Sequence, residues 1–199
     1  RPARPEWQNA LDYIARDASI SEVIYSGGDP LVTGDNQLQW LTEQIADIRH
    51  VKRLRIHTRL PVVIPDRITD SCLQWLTGTR LQTSMVIHSN HPNELDDSVG
   101  ASLLALKAAG VTVLNQSVLL AGINDDADTL AQLSERLFEF GTLPYYLHQL
   151  DKISGAAHFE VSDETARKLH SQLLVRLPGY LVPKLVREIP GSPSKMPLT

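Results

Sequence analysis

Glu22-Val23-Ile24-Tyr25-Ser26-Gly27-Gly28-Asp29-Pro30 decides the fold. A short apolar, β-branched run empties directly into a polar turn containing two glycines, which reads as a strand ending in a loop. Asp35 then reads as the N-cap of a helix whose Leu38, Leu41, Ile45 and Ile48 keep a 3.6-residue period. The same alternation continues downstream. Arg53 to His57 is a second strand, and Thr69 caps a helix through Leu73 and Leu76. Leu81 to His88 is a third strand, a helix holding Leu103, Leu104 and Leu106 stops at Gly110, and Thr112 to Leu120 is a fourth. Leu130, Leu133 and Leu137 stripe the next helix up to Gly141, and Leu143 to His148 is a fifth strand. Ser162 caps a last long helix, and Leu181 to Glu188 is a sixth extended piece. Strands alternating with helices in this way predict βαβ units on a parallel sheet, either an open doubly wound sheet or a closed or partial barrel.

Composition narrows the class. The chain of 199 residues carries 19 Lys and Arg against 23 Asp and Glu, so no basic excess favours nucleic acid or an anionic membrane surface. The apolar fraction of 42% and charged fraction of 21% are those of a folded domain able to bury a core. Its longest apolar stretches, such as 61–65 and 118–121, fall far short of the roughly 20 residues of a membrane span. A single cysteine, Cys72, leaves no disulfide framework and no cysteine-rich metal site, which fits a reducing, cytoplasmic setting. The opening Arg1-Pro2-Ala3-Arg4-Pro5 has no Met and no targeting signal, so Arg1 reads as the interior of a longer product.

In both architectures, ligands gather at the carboxyl ends of the strands. Those ends are unusually polar here. The five exits carry Ser26-Gly27-Gly28-Asp29; His57-Thr58-Arg59; His88-Ser89-Asn90-His91; Asn115-Gln116-Ser117; and Tyr145, Tyr146, His148 and Asp151. Four of the seven histidines therefore share one predicted rim, which points to a polar ligand site. Each piece also has a plainer reading. Gly27-Gly28 fits a tight turn and matches neither the Walker nor the Rossmann glycine pattern. His88 and His91 could be loop residues held by hydrogen bonds, and with no second nearby pair they make a poor metal site, so no metal ligand is assigned. Asp151 could be a solvated loop acid, and Lys195, in a Gly/Pro/Ser tail, a surface lysine.

Several motifs together resemble the lysine 2,3-aminomutase family of radical S-adenosylmethionine enzymes. They are Ser26-Gly27-Gly28-Asp29-Pro30-Leu31, the stretch from Arg55 to Val63, and His91-Pro92-Asn93-Glu94, followed by Asn115 to Leu120 and Pro144-Tyr145-Tyr146. The resemblance covers nearly the whole chain, in the family's order and spacing. The stretches from His148 to Phe159 and from Gly179 to Leu185 look most like the bacterial branch that makes (R)-β-lysine for modification of elongation factor P.

That resemblance implies a partial (β/α)6 barrel of the radical S-adenosylmethionine type over residues 1–178, with a first strand and cluster loop preceding Arg1. It also implies a C-terminal extended segment, residues 179–199, that carries the pyridoxal phosphate lysine. Gly27, Gly28 and Asp29 match the motif holding the methionyl amine of S-adenosylmethionine, and His88 and Gln116 match positions contacting the same cofactor. Lys195 matches the lysine that holds pyridoxal phosphate as a Schiff base. Asp151 and Glu188 match two carboxylates around the distal ammonium of L-lysine, although the family has a shorter acid where Glu188 stands. The Cys-x-x-x-Cys-x-x-Cys that binds the 4Fe-4S cluster is absent, so its ligands are expected upstream of Arg1. The implied protein is a cytoplasmic isomerase converting L-lysine to β-lysine, linked functionally to elongation factor P. It would contact neither nucleic acid nor membrane directly, and homo-oligomers are compatible with it. Two other classes fit the residues alone: a metal-dependent barrel hydrolase using His57, His88, His91 and His148, and a non-catalytic binding module.

Overall fold

A computed structural model describes residues 4–152, 154–192 and 194–198. Its strands are β1 (Glu22–Tyr25), β2 (Arg53–Thr58), β3 (Gln82–Ile87), β4 (Thr112–Val118), β5 (Leu143–His148), β6 (Lys184–Arg187) and β7 (Met196–Pro197). α1 (Arg4–Arg16) precedes them, and between them lie α2 (Asp35–Asp47), α3 (Leu60–Val63), α4 (Asp70–Thr77), α5 (Asp97–Ala108), α6 (Ala127–Glu139) and α7 (Asp163–Arg176). Among the described residues the strands form one seven-stranded sheet in the order β1 to β7. β1 to β6 pair in parallel and β7 returns antiparallel to β6. A doubly wound sheet reverses its strand order at a switch point. This one never does, so the winding is that of a partial barrel.

The period of two along each strand divides the sheet's faces. On β2, Leu54 and Ile56 are fully buried and join a core with Leu38, Ile45, Trp75, Leu76, Leu103 and Leu106 from the helices. Arg53, Arg55 and His57 alternate with them and face the other way. A second core around α6 and α7 joins Leu119, Leu130, Leu147, Leu169, Leu173 and Leu185. Helices therefore cover one face through apolar side chains, and the polar row is left on the opposite face.

Helix starts at Thr69 and Ser162 are set by caps: Thr69 Oγ1 accepts from Cys72 N at 3.2 Å and Ser162 Oγ from Thr165 N at 3.2 Å. Two sequence expectations are corrected. Asp35 is the first residue of α2 and Gly34 is its cap; the Asp35 carboxylate is taken up instead by Arg67 Nη2 at 2.6 Å and the Trp75 indole N–H at 2.8 Å. The extended piece at Leu181 to Glu188 shortens to β6, because Gly179–Leu181 forms a 3-10 turn and the buried Pro183, which has no N–H to donate, precedes the strand.

Candidate functional site

Asp29 fastens the glycine turn to the next strand exit. Its Oδ1 accepts from Leu31 N at 3.0 Å and from Thr58 Oγ1 at 2.7 Å, and its Oδ2 accepts from Arg59 N at 2.7 Å. The carboxylate is thus spent on the loop scaffold. Gly27 and Gly28 adopt φ of +87° and +58°, in the region that disfavours side chains. No heavy atom lies within 4 Å of where a Cβ would stand on either. These residues, with His57, Thr58, Arg59 and His88, line a cleft of about 410 Å³.

Gln116 reaches the same end of the sheet. Its side-chain amide donates to His88 Nε2 at 3.3 Å, leaving Gln116 Oε1 buried without a partner. Burial, with Arg59 nearby, pushes the His88 imidazole down to about 4. Burial also lowers His57, helped by Arg55, so both rings are neutral near pH 7. His57 stands edge-on to His88 at 6.2 Å between centroids, and its Nε2 is buried and unpartnered.

A second cluster sits where β5, β6 and β7 meet. Lys195 Nζ is ion-paired with Glu188 and lies 5.5 Å from the centre of the Tyr146 ring. His148, nearly buried, brings Nδ1 to 4.0 Å from the same Glu188 carboxylate, while its Nε2 has no partner. Burial and the Lys195 charge both lower the His148 imidazole, whereas Lys195 lowers the Glu188 carboxyl. Tyr146, Lys184 and Lys195 open onto a cleft of about 650 Å³ that reaches Arg167 on α7.

The expected residues therefore fall in three places. Gly27, Gly28, Asp29 and His88 surround one cleft, and Gln116 joins them through its hydrogen bond to His88; Glu188 and Lys195 touch each other. Asp151 is exposed on the loop after β5 and lines a separate cavity of about 320 Å³, although its charge, like that of Glu188, acts on His148. Arg55 was given no role by the sequence reading, yet it lies half-buried on the polar face, paired with Glu22 at 3.0 Å and with Nε unpartnered. Its signal is the strict alternation Arg53-Leu54-Arg55-Ile56-His57.

The donor sets test the implied cofactors. The open glycine turn and the unpartnered Gln116 Oε1 and His57 Nε2 fit a polar nucleoside ligand with amine and hydroxyl donors. A primary amine beside an aromatic ring, in a cleft bordered by Lys184 and Arg167, fits an anionic aldehyde such as pyridoxal phosphate. An iron–sulfur cluster does not fit these residues: Cys72 faces the α4 core, fully buried, its thiol pushed up to about 11. Nor do the histidines supply the ligands a hydrolase would need. No three His, Cys, Asp or Glu side chains converge as a metal-binding group among the described residues.

No family model matches the chain. It is 56% identical over 192 residues, 96% of its length, to an L-lysine 2,3-aminomutase of Haemophilus influenzae, and 54% identical over 192 residues to one of Escherichia coli K12. A Methanococcus maripaludis relative of the same name is 36% identical over 197 residues and is covered to 45%. The chain spans 57% and 56% of the first two, a little over half of their length. Among solved structures it resembles a radical SAM methyltransferase from Sphaerobacter thermophilus, with a TM-score of 0.61, 17% identity and coverage of 92% of this chain and 56% of that one. It also resembles Streptococcus suis SuiB, with a TM-score of 0.65, 14% identity and coverage of 95% and 44%. At such identities the structural likeness carries the fold alone, a partial barrel, and the sequence likeness carries the kinship. The chain belongs to the L-lysine 2,3-aminomutase family.

Proposed function

We propose that this chain is the barrel portion of an isomerase that moves the α-amino group of L-lysine to its β-carbon. The observation that carries the reading is the 56% identity over 96% of the chain to a protein named L-lysine 2,3-aminomutase, joined to a cleft at the strand exits and a second cleft along the β6–β7 edge that holds Lys195. In this reading Gly27, Gly28, His88 and Gln116 hold S-adenosylmethionine. Asp29 acts behind them by fixing the turn through Leu31, Thr58 and Arg59. Lys195 holds pyridoxal phosphate, and the C-terminal segment from 179 to 199 delivers it to the barrel formed by 1–178. Glu188 and Asp151 serve the distal ammonium of lysine, each carboxylate offering acceptors to a cation that would otherwise be left unpaired.

When bound, S-adenosylmethionine with a reduced 4Fe-4S cluster supplies a radical, and pyridoxal phosphate holds the migrating nitrogen. The cluster thiolates must come from residues outside this sequence, which has only Cys72. What these residues do is bind and orient. The neutral ring of His57 and the Gln116 carbonyl accept donors from a ligand, His88 holds the Gln116 amide through Nε2, and Tyr146 shields the Lys195 amine on one side. The family resemblance extends the proposal to (R)-β-lysine as the product, used to modify elongation factor P in the cytoplasm. No described helix is long and apolar enough to cross a membrane. The deciding experiment is a lysine to β-lysine assay on full-length, anaerobically reconstituted protein. β-Lysine is expected, and its absence from a preparation shown to cleave S-adenosylmethionine overturns the reading.

A further inference from the structure

Lys195 joins the sheet by a slender attachment. It stands one residue before β7, which is two residues long and, among the described residues, ends the sheet beside β6. Val186 pairs with Pro197 and Arg187 with Met196. The position of the end of β6 therefore sets the position of the Lys195 amine. Glu188 meets Lys195 on one face of this edge, while its neighbour Arg187 points to the other face, in line with Leu185 of the α7 core. There the guanidinium forks onto the Asp163 carboxylate at the start of α7, with Nη1 donating to Oδ2 at 3.0 Å and Nη2 to Oδ1. Asp163 Oδ1 also accepts from Gln149 Nε2 at 3.1 Å. Gln149, buried directly after β5, donates from Nε2 to Val161 O at 3.0 Å and from its backbone N to Val186 O at 2.9 Å. The end of β5, the start of α7 and the end of β6 are thus tied at one node. None of its three side chains lines the Lys195 cleft or the glycine-turn cleft, and the proposed function uses none of them.

We propose that Arg187 is a positioning residue for Lys195: gripping Asp163 behind the sheet, it fixes the end of β6 and, through the pairing of β6 with β7, holds the Lys195 amine beside Tyr146 in front. The inference rests on the reading of Lys195 as the pyridoxal phosphate lysine. The residue types fit the task. A bidentate guanidinium–carboxylate pair fixes direction as well as distance, which a point charge would not. Asp163 lies in the first turn of α7, where the helix dipole favours a carboxylate, so the anchor is itself held in place. Gln149 shares that carboxylate and refers it to the end of β5, the strand of Tyr146. The Lys195 amine and the ring centre 5.5 Å from it are thereby placed from one fixed point. A reacting group needs such placement, because a displacement of about 1 Å is enough to cost much of its reactivity.

The test uses full-length, anaerobically reconstituted protein freed of pyridoxal phosphate. Addition of pyridoxal phosphate followed by borohydride first locates the reduced adduct, expected on Lys195. Titration followed by the imine absorbance should then show affinity for pyridoxal phosphate about fivefold weaker in Arg187→Gln than in the parent, the upper end for a part-exposed ion pair. Calorimetric affinity for S-adenosylmethionine should stay unchanged, because the bonds that hold the glycine turn are made by Asp29 and involve no member of the node. Arg187→Lys, which keeps the charge and loses the fork, should recover part of the loss. Asp163→Asn should match Arg187→Gln, and the two changes together should be no worse than either alone. Unchanged affinity for pyridoxal phosphate in Arg187→Gln overturns the proposal. An equal loss for both ligands also overturns it, by making the pair a support of the whole fold, and so do additive losses in the double variant. If Arg187→Gln fails to fold, Asp163→Asn carries the same comparison. An adduct on another residue brings down the reading of Lys195 and the positioning with it; an adduct on Lys195 with unchanged affinity refutes the positioning alone.

Discussion

Replacing Asp29 with asparagine tests whether this carboxylate acts as scaffold or as ligand contact. Asparagine can keep one oxygen in place for the Leu31 N–H and the Thr58 hydroxyl, now 3.0 and 2.7 Å away. Its amide nitrogen then takes the position of Oδ2 and meets the Arg59 N–H, at 2.7 Å, donor to donor. A hydrogen bond to a charged acceptor contributes about 1.5–3 kcal/mol, and the exposed position of Arg59 lets water recover part of it. We therefore expect Asp29→Asn to cost about 1–2 kcal/mol in urea unfolding of the full-length protein. Asp29→Ala, which loses all three bonds, should cost more. Because the same bonds set the φ-positive turn at Gly27 and Gly28, affinity for S-adenosylmethionine should fall about tenfold, the equivalent of 1.4 kcal/mol. Two results refute the reasoning. An unchanged urea midpoint with weakened cofactor binding would make Asp29 a direct contact, and no change in either would leave the turn independent of it.

Gly28→Ala forces a side chain into φ +58° with no atom near its Cβ, so backbone strain of about 1–2 kcal/mol should lower Tm, and Gly28→Asn, more at home in this region, should lower it less. Gly100→Ala places a Cβ 2.4 Å from the Phe140 ring; calorimetric unfolding should show a loss of about 1–3 kcal/mol, partly relieved by Phe140→Leu. For pH, the folded state holds His88 down at about 4 and also lowers His57 and His148, while the unfolded chain protonates them near 6.5. The unfolded state thus binds more protons between those values, so stability is full above pH 6.5 and is lost as pH falls toward 4. Urea midpoints at pH 7.5, 5.5 and 4.5 should decline in that order, and His88→Gln should flatten the decline.

Much of the fold was legible because strand ends and helix caps are local events. Thr69 and Ser162 each follow from a hydroxyl placed before a periodic run. Asp35 misleads because it has the composition of a cap and sits one residue inside the helix, where a tertiary partner, Arg67, claims it. The first helix escapes notice because the prolines at Pro2 and Pro5 disguise its start. β7 is only two residues long and has no period to read. The rim itself was visible as a list of polar exits, but the grouping into two clefts was not. That grouping depends on register, such as the shift between β4 and β5 at Asn115 and Gln116, and on the return of β7 beside β6. Composition carries no trace of either.

Register also accounts for the electrostatic character of the polar face. Burying an imidazole or an amide carbonyl without a partner costs about 1–3 kcal/mol, and His57, Gln116 and His148 each do so. A hydrophobic pair at these positions would avoid that cost. The sheet can carry it because the alternate residues on the same strands, Ile56, Asn115 and Leu147, are buried on the helix side, where Ile56 and Leu147 join the apolar cores and Asn115 is satisfied by Ser89 and Ser117. Each buried ring lies beside a fixed cation: Arg55 and Lys195 for His57, Arg59 for His88, Lys195 for His148. A neighbouring cation resists protonation of the ring, and so preserves a neutral acceptor nitrogen within the working pH range. Burial first, and the neighbouring cations second, keep the rings neutral, so the polar face offers unpartnered acceptors beside positive charge, which suits a ligand that brings hydrogen-bond donors and negative charge together.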